Sequence, residues 1–390
     1  MNENIKQYRG FLFFTIFERF SFFLLLAIFV LYCTDYLDIS KERASSYYEI
    51  FLGVVYFSPL VLGYLSDKFG SLKFFHLGCI LSIIGFLLFP ILSNFFSDII
   101  FQLFIPLVFI SMGAGILRVM VPVLIGKNSQ IKADDNKIYV NFLWYLLMIN
   151  IGSSFVSFAI DAKNNFIKYF LISGIVLLIG YLLWLLKNRT KNYIKINAES
   201  QIEWKRRNNK LLINVLIISI PLMVVFNLLQ SLFQTETSGK IYPYKPMLEM
   251  LIIVGIGLLL YRLKKLTNFN LFRLIKLGLI IIIVIISILL LFEFSNYHSD
   301  LFLKILQIIK IAPTTFVGVL LLFFVFDSSP LKYKGLFVGL YYTLITISHY
   351  ISNPFFDKIM DNRVSGLIIS LIIVSGIFIF LRDKKIKNIA

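Results

Sequence analysis

A glutamate and an arginine stand side by side, as Glu18 and Arg19, inside an otherwise apolar stretch, and a second arginine, Arg118, sits in another. Each such charge at the centre of a membrane helix costs about 2.5–3.5 kcal/mol on insertion scales, so these residues face a protein interior or a wet cavity and pair with something. Neighbours in sequence do not face each other on a helix. The spacing therefore predicts a partner on another span for each, and Arg118 is the strong basic candidate deep in the first half of the chain. The chemistry on offer is proton exchange. A carboxylate can trade a salt-bridge partner for a proton when burial, balanced against a nearby cation, sets its titration near the working pH. Arginine stays charged and holds a carboxylate without releasing a proton of its own. Glu18 is thus the expected proton carrier, with Arg19 and Arg118 as its modulators. Glu49, near the outer end of the second apolar stretch, reads equally as a second carrier or as an interfacial carboxylate touching water.

Other polar groups in apolar stretches are neutral or basic. Asn150, Asn227, Gln230 and Gln234 can offer hydrogen bonds to a solute, or can serve as glue between helices. Lys304 is placed to snorkel outward, whereas Lys310 sits deeper and is a better cavity residue. Cys33 and Cys79 lack metal-ligand or disulfide spacing and read as small apolar packers. His76 and His349 show no ligand spacing either, so no metal or cofactor is expected. There is no H-E-x-x-H, no glycine-rich phosphate loop and no acidic pair at a membrane face, which argues against an embedded enzyme.

The elements that must position these residues follow from composition. Of the 390 residues 58% are hydrophobic and 15% charged, and the mean hydropathy is +0.84. Soluble domains run at roughly 45–50% and about 25%. The charges fall between apolar runs whose length matches the ~30 Å hydrocarbon core at 1.5 Å per helical residue. Barrel strands would alternate strictly over ~10 residues, and runs such as LFRLIKLGLIIIIVIISILLLF do not. We expect an all-α membrane protein with spans near 10–33, 46–66, 73–93, 99–125, 138–159, 167–187, 211–234, 246–262, 271–292, 301–327, 335–352 and 364–381. The net charge of +17 does not signal nucleic acid, because the basic residues sit beside the spans. No cleavable signal peptide is expected, since MNENIKQYR leads straight into a full-length span. With the N-terminus inside, cytoplasmic loops hold about 26 of the 38 basic residues and outer loops about eight, which predicts both termini in the cytoplasm. The long basic stretch 188–210 divides the chain into six-span bundles at 1–187 and 211–390. Six plus six with a cytoplasmic linker is the major facilitator arrangement, in which the solute site lies near the bilayer midplane.

Between the second and third spans the chain reads Gly63-Tyr64-Leu65-Ser66-Asp67-Lys68-Phe69-Gly70. This resembles the major facilitator loop G-x-L-x-D-x-x-G. Glycine lets helix ends approach closely, and an aspartate near a helix terminus can pair with basic groups or free N–H donors. Gly63, Asp67 and Gly70 are the expected conformational gate. The first span narrows the family. Glu18-Arg19-Phe20-Ser21-Phe22-Phe23 resembles the E-x-x-E-R-F-x-Y-Y motif of proton-dependent oligopeptide transporters. Tyr56 to Pro59, with Gly63 and Asp67, is similar to that family's Y-x-x-P-x-x-x-G-x-x-x-D. Gly113 to Arg118 is similar to its G-x-G-x-x-K, and Tyr145 to Gly152 to its Y-x-x-x-I-N-x-G. Lys276 to Gly278 and Pro330 through Gly335 to Gly339 resemble it more loosely, so the likeness is strong over about 10–155 and diffuse afterwards. The chain also departs from the pattern. The first motif glutamate is Thr15, the two tyrosines are Phe22 and Phe23, an arginine shortly after them is Leu26, and the fourth-span lysine is Arg118. No acidic residue lies between Asp300 and Asp327, where the family carries a tenth-span glutamate.

The resemblance implies proton-coupled symport of di- and tripeptides by alternating access, across a bacterial cytoplasmic (inner) membrane, with a monomer as the functional unit. The partners it implies are small peptides or related solutes, protons and the lipid bilayer, with no nucleic acid. The residues expected at the substrate are Arg19, Arg118, Tyr56, Asn150, Gln230 and Lys310. The departures leave two rivals open: a carrier of another small solute such as an amino acid or organic anion, with or without coupling, and a multispan protein that transports nothing.

Overall fold

Each of the expected spans that falls among the described residues is a helix. The structure, a computed structural model, describes residues 3–96, 98–130, 135–159, 165–188, 206–236, 255, 271–295, 300–361 and 363–382. In order these are α1 (Glu3–Leu31), α2 (Lys41–Phe69), α3 (Ser71–Phe95), α4 (Ile105–Gln130), α5 (Asp135–Ser154), the single turn α6 (Val156–Ala159), α7 (Phe166–Asn188), α8 (Arg206–Glu236), α9 (Leu271–Ser295), α10 (Asp300–Ser328), α11 (Lys334–Asp361) and α12 (Arg363–Arg382). The expected span 246–262 lies outside the described residues apart from Gly255. Among the described residues eight helices are long and apolar enough to cross a membrane, and Val140–Ser154 and Val317–Ser328 are shorter apolar segments. Helix is the form these runs must take, because lipid offers no partner for a bare N–H or C=O. Prolines inside them, such as Pro59 in α2 and Pro122 in α4, are tolerated for the reason that neighbouring helices re-satisfy the freed backbone groups. Outward side chains are apolar: Val61 and Ile379 are 60% and 66% exposed, as befits lipid contact and not water.

The chain forms two compact units. Unit 1 is Met1–Ile202 together with Leu331–Thr343, and unit 2 is Glu203–Pro330 with Leu344–Ala390. In unit 1, α1 packs against α7, α5 and α4, while α3 packs against α4 and α7 and α2 against α4. Aromatic side chains fill both ends of this bundle. Phe11, Phe14, Phe75 and Trp184 cluster at one end, and Tyr32, Phe89 and Phe170 at the other. In unit 2, α9 packs against α12 and α10, and α8 against α10 and α12. Its interior mixes aliphatic and aromatic side chains, with Leu279, Ile282, Ile286 and Phe326 fully buried. The first residues of α11 belong to unit 1, an assignment that hydropathy along the chain does not indicate.

Candidate functional site

The charged residues of α1 are buried, and they pair with each other. Glu18 is 4% exposed and Arg19 5%, and Arg19 Nε lies 2.9 Å from Glu18 Oε2. Helical spacing predicts a partner on another span for each, and the structure differs because the long arginine arm curls back to its neighbour. The contact falls off the N–H axis, so it is an ion pair and not a hydrogen bond. A Cβ built on Gly152 of α5 would lie 2.9 Å from Arg19 Cβ, so only glycine lets α5 press this close. That approach brings Tyr145 within reach, and Arg19 Nη2 donates a long 3.5 Å hydrogen bond to its hydroxyl. Thr15, which stands where the resembling motif carries a glutamate, donates to the Phe11 carbonyl at 2.8 Å and is spent on its own helix.

Arg118 of α4 is 4% exposed and is held by rings. Its guanidinium carbon lies 3.7 Å from the centre of the Tyr56 ring, 5.3 Å from Phe22 and 5.9 Å from Tyr342. Desolvated cation–π contacts of this kind contribute about 2 kcal/mol. Its Nε has no hydrogen-bond partner, and among the described residues no carboxylate comes within 4.0 Å. Arg118 does lie within electrostatic range of Glu18. Tyr342 completes the cluster by sharing a hydrogen bond with Tyr145. Sequence reasoning missed Tyr342. The signal present was a tyrosine pair, Tyr341-Tyr342, in an otherwise apolar span just after Gly339. The substitutions Phe22 and Phe23 also change sense here, since Phe22 lies beside Arg118 as an apolar wall.

The Gly63–Gly70 segment is largely helix and not loop: α2 runs to Phe69, and the connection to α3 is Gly70 alone, at φ +109°. Asp67, on the last turn of α2, caps another helix. Its Oδ1 accepts from the Gly335 N–H at 3.0 Å and its Oδ2 from the Leu336 N–H at 2.8 Å. These are first-turn donors of α11, which have no partner inside their own helix and sit at the positive end of its dipole. Lys127 Nζ adds a charge 3.9 Å from Oδ1 while donating to Ser71 Oγ at 2.9 Å. The backbones touch beneath this cap. A Cβ on Gly335 would lie 2.6 Å from the Gly63 carbonyl oxygen, and one on Gly339 would strike the Pro59 carbonyl.

Of the remaining expected residues, Asn150 and Lys310 are engaged elsewhere. Asn150 Nδ2 donates to Leu146 of its own helix at 2.9 Å. Lys310 belongs to unit 2, where it is 8% exposed and donates to the Leu229 carbonyl at 3.4 Å. The side chains of Gln230, Gln234 and Lys304 lie outside the described residues. Glu49 is exposed, His76 Nδ1 meets the Tyr181 hydroxyl at 2.8 Å, and Cys33 and Cys79 are buried. Among the described residues no three His, Cys, Asp or Glu side chains come together as a metal site.

Long apolar helices around a buried Glu–Arg–Arg cluster, with a charge-capped helix contact at the end of the same bundle, define a multispan membrane protein of the carrier class. The chain belongs to the Major Facilitator Superfamily, which it matches over residues 11–353. Its fold agrees with solved carriers. It superposes on a POT family transporter in complex with a thioalcohol conjugated peptide with a TM-score of 0.68 at 14% identity, covering 96% of this chain and 94% of that one. It superposes equally on a bacterial homologue of the iron transporter ferroportin in an outward-facing state, at a TM-score of 0.70 and 14% identity, covering 98% and 100%. The fold is thus the major facilitator fold, and at such identity it does not select a cargo. A sequence relative is more specific: the peptide transporter YePEPT of Yersinia enterocolitica is 32% identical over 142 residues, 35% of this chain. That match spans 27% of the length of YePEPT. These relatives are transporters and not enzymes.

Proposed function

We propose that the chain is a proton-coupled secondary carrier of the oligopeptide-transporter type, importing di- or tripeptides or solutes that share their carboxylate end. The observation that carries this is the buried triad of Glu18, Arg19 and Arg118 in a single helical unit. Its parts suit coupled binding. Arg118 offers an unpaired guanidinium edge, and a planar guanidinium binds a carboxylate through two parallel N–H donors. Arg19 is committed to Glu18 until Glu18 takes a proton. Protonation then frees Arg19 to join Arg118 on the incoming carboxylate, so proton and solute enter together. Tyr56 and Tyr145 hold the two guanidiniums in place.

In this reading the bundles at 1–187 and 211–390 alternate access to the triad, with 188–210 as their cytoplasmic linker. Release of the Asp67 cap on α11 accompanies the change of state, and Gly63 and Gly70 let the helix ends meet and part. The excess of basic residues in alternate loops supports both termini in the cytoplasm; the bacterial inner membrane and a monomer as the working unit follow from the likeness to the oligopeptide transporters. The test is uptake of a labelled dipeptide into proteoliposomes under an imposed inward proton gradient. Accumulation above the external concentration is expected. Uptake that ignores the gradient removes the coupling, and no uptake by correctly inserted protein removes the peptide reading.

A further inference from the structure

We infer that Tyr342 is the residue through which α11 senses whether proton and solute are both bound, and that its hydroxyl keeps the carrier from moving with one of them alone. This rests on the carrier reading above and adds a positioning residue to it, one that acts through Tyr145 and Arg19. A chain of contacts ends at Tyr342. Arg19 Nε lies 2.9 Å from Glu18 Oε2, and Arg19 Nη2 donates to the Tyr145 hydroxyl at 3.5 Å. Tyr145 in turn shares a hydrogen bond with Tyr342. The Tyr342 ring also neighbours the other arginine, its centre 5.9 Å from the Arg118 guanidinium carbon. All of these residues belong to unit 1. Arginine has donors only, whereas a phenol has one proton to give and lone pairs to accept with. Donation from Arg19 leaves Tyr145 its own proton to give to Tyr342, and hydrogen bonds that run in one sense strengthen one another. While Glu18 holds Arg19, this chain ties α11 to α1 through α5.

The place of Tyr342 on α11 gives that tie its leverage. Gly335, Gly339 and Tyr342 are spaced four and three residues apart, so they share one face of the helix. The two glycines are where that face meets α2: a Cβ on Gly335 would lie 2.6 Å from the Gly63 carbonyl oxygen, and one on Gly339 would strike the Pro59 carbonyl. The next residue, Thr343, reaches the Tyr56 carbonyl at 3.3 Å. Asp67 caps the first turn of the same helix. The start of α11 is thus held by a cap built on main-chain donors and by a phenol whose partner answers to Arg19. The phenol is the hold that a change at Glu18 reaches.

Half-loaded states leave that hold in place. A proton on Glu18 releases Arg19 from its ion pair but leaves it on Tyr145. A solute carboxylate alone meets an Arg19 that Glu18 retains. With both present, Arg19 swings to the solute. Its bond to Tyr145 is long, and a charge-assisted bond to a carboxylate outcompetes it. The Tyr145–Tyr342 bond then loses the donor that polarised it, and α11 is free to part from α5. A carrier without the Tyr342 hydroxyl would make that movement at any stage of loading, and would leak.

The experiment follows labelled alanyl-alanine in proteoliposomes of the full chain, first under an imposed inward proton gradient and then, without one, down its own concentration difference. Tyr342→Phe keeps the ring and removes the hydroxyl. It is expected to lower gradient-driven accumulation about tenfold, a factor equivalent to about 1.4 kcal/mol and within the reach of one hydrogen bond, while downhill uptake is undiminished. Thermal melting checks that the variant is folded. Tyr145→Phe is expected to act alike from the other end of the bond, and carries the test should Tyr342→Phe fail to fold. The double variant is expected to do no more than Tyr145→Phe alone, because both act through one contact. Tyr341→Phe removes a buried phenol one residue away and is expected to alter neither uptake. Wild-type accumulation by Tyr342→Phe overturns this inference and leaves the carrier reading standing. So does an equal fall in both kinds of uptake, an equal effect of Tyr341→Phe, or effects that multiply in the double variant. Absence of any uptake by the unaltered chain overturns the carrier reading, and this inference with it.

Discussion

Asp67 and Glu18 are carboxylates buried in helices of the same unit, and they are held by opposite means. Each oxygen of Asp67 accepts a main-chain N–H, from Gly335 and Leu336, and a lysine stands just beyond. Among the described residues no hydrogen bond reaches Glu18, whose one ion pair is with the off-axis guanidinium of Arg19. Main-chain donors at a helix start cannot titrate or change rotamer. A guanidinium on a long arm can swing to another anion. The contrast separates a latch from an exchange site: Asp67 is saturated and so fixes one arrangement of α2 and α11, whereas Glu18 is under-satisfied and so is free to trade its partner for a proton. A buried carboxylate that has to change state in each cycle is best left without partners that would hold it in one.

The sharpest way to break the comparison is Glu18→Gln. The amide keeps the shape and removes both the negative charge and the site of protonation. Gradient-driven accumulation should fall to background, while counterflow of labelled solute persists, as measured in proteoliposomes with equal inserted protein. Loss of both would place Glu18 with the structural carboxylates. Gly339→Leu comes next, because it attacks the latch through its backbone and not its charge. The side chain would collide with the Pro59 carbonyl, and crowding of this kind costs about 1–3 kcal/mol. A lower thermal midpoint and slower cross-linking of cysteines introduced on α2 and α11 are expected. Unchanged melting would show that the two helices have room to spare.

How much of this was legible beforehand depends on whether residue type carries the information. The spans were legible because lipid forces any long apolar run into helix, and α9 and α12 fall within a few residues of the expected 271–292 and 364–381. Burial of Glu18, Arg19 and Arg118 was also legible, since charge in an apolar run has few places to go. The Glu18–Arg19 pair was not, because spacing fixes where two Cβ atoms point and says nothing of where a flexible arm ends. Asp67 could be marked as a gate, but its partners could not, because they are main-chain N–H groups that nearly every residue possesses. Tyr342 was hidden by distance along the chain: nothing local to 331–343 tells that it joins the first unit. Asn150 has the residue type of a binding group, yet its amide bonds back to Leu146, a choice that a single sequence leaves open.

Smaller substitutions sharpen the contrast within the latch itself. Asp67→Asn keeps an acceptor oxygen and removes the charge that strengthens both bonds to α11. Charge-assisted bonds are roughly twice as strong as neutral ones, and a capping charge adds about 0.3–1 kcal/mol. A loss of about 1–2 kcal/mol in stability is expected, with slower uptake and the proton requirement intact. Thr343→Val tests the weakest strand of the same contact. Thr343 Oγ1 reaches the Tyr56 carbonyl at 3.3 Å but also bonds its own helix at Gly339 at 3.0 Å, so its hydroxyl already has a local partner. Valine fills the same space, and the change should cost less than about 1 kcal/mol by thermal melting. Tyr56 is also the ring beneath Arg118, so this hydrogen bond links the latch to a residue of the exchange site. If the two are mechanically joined there, Thr343→Val will shift the half-saturating solute concentration while barely moving the melting point. If they are not joined there, neither quantity will move beyond error, and any coupling between latch and exchange site runs through Tyr342, or through Asp67 and the body of α2, instead.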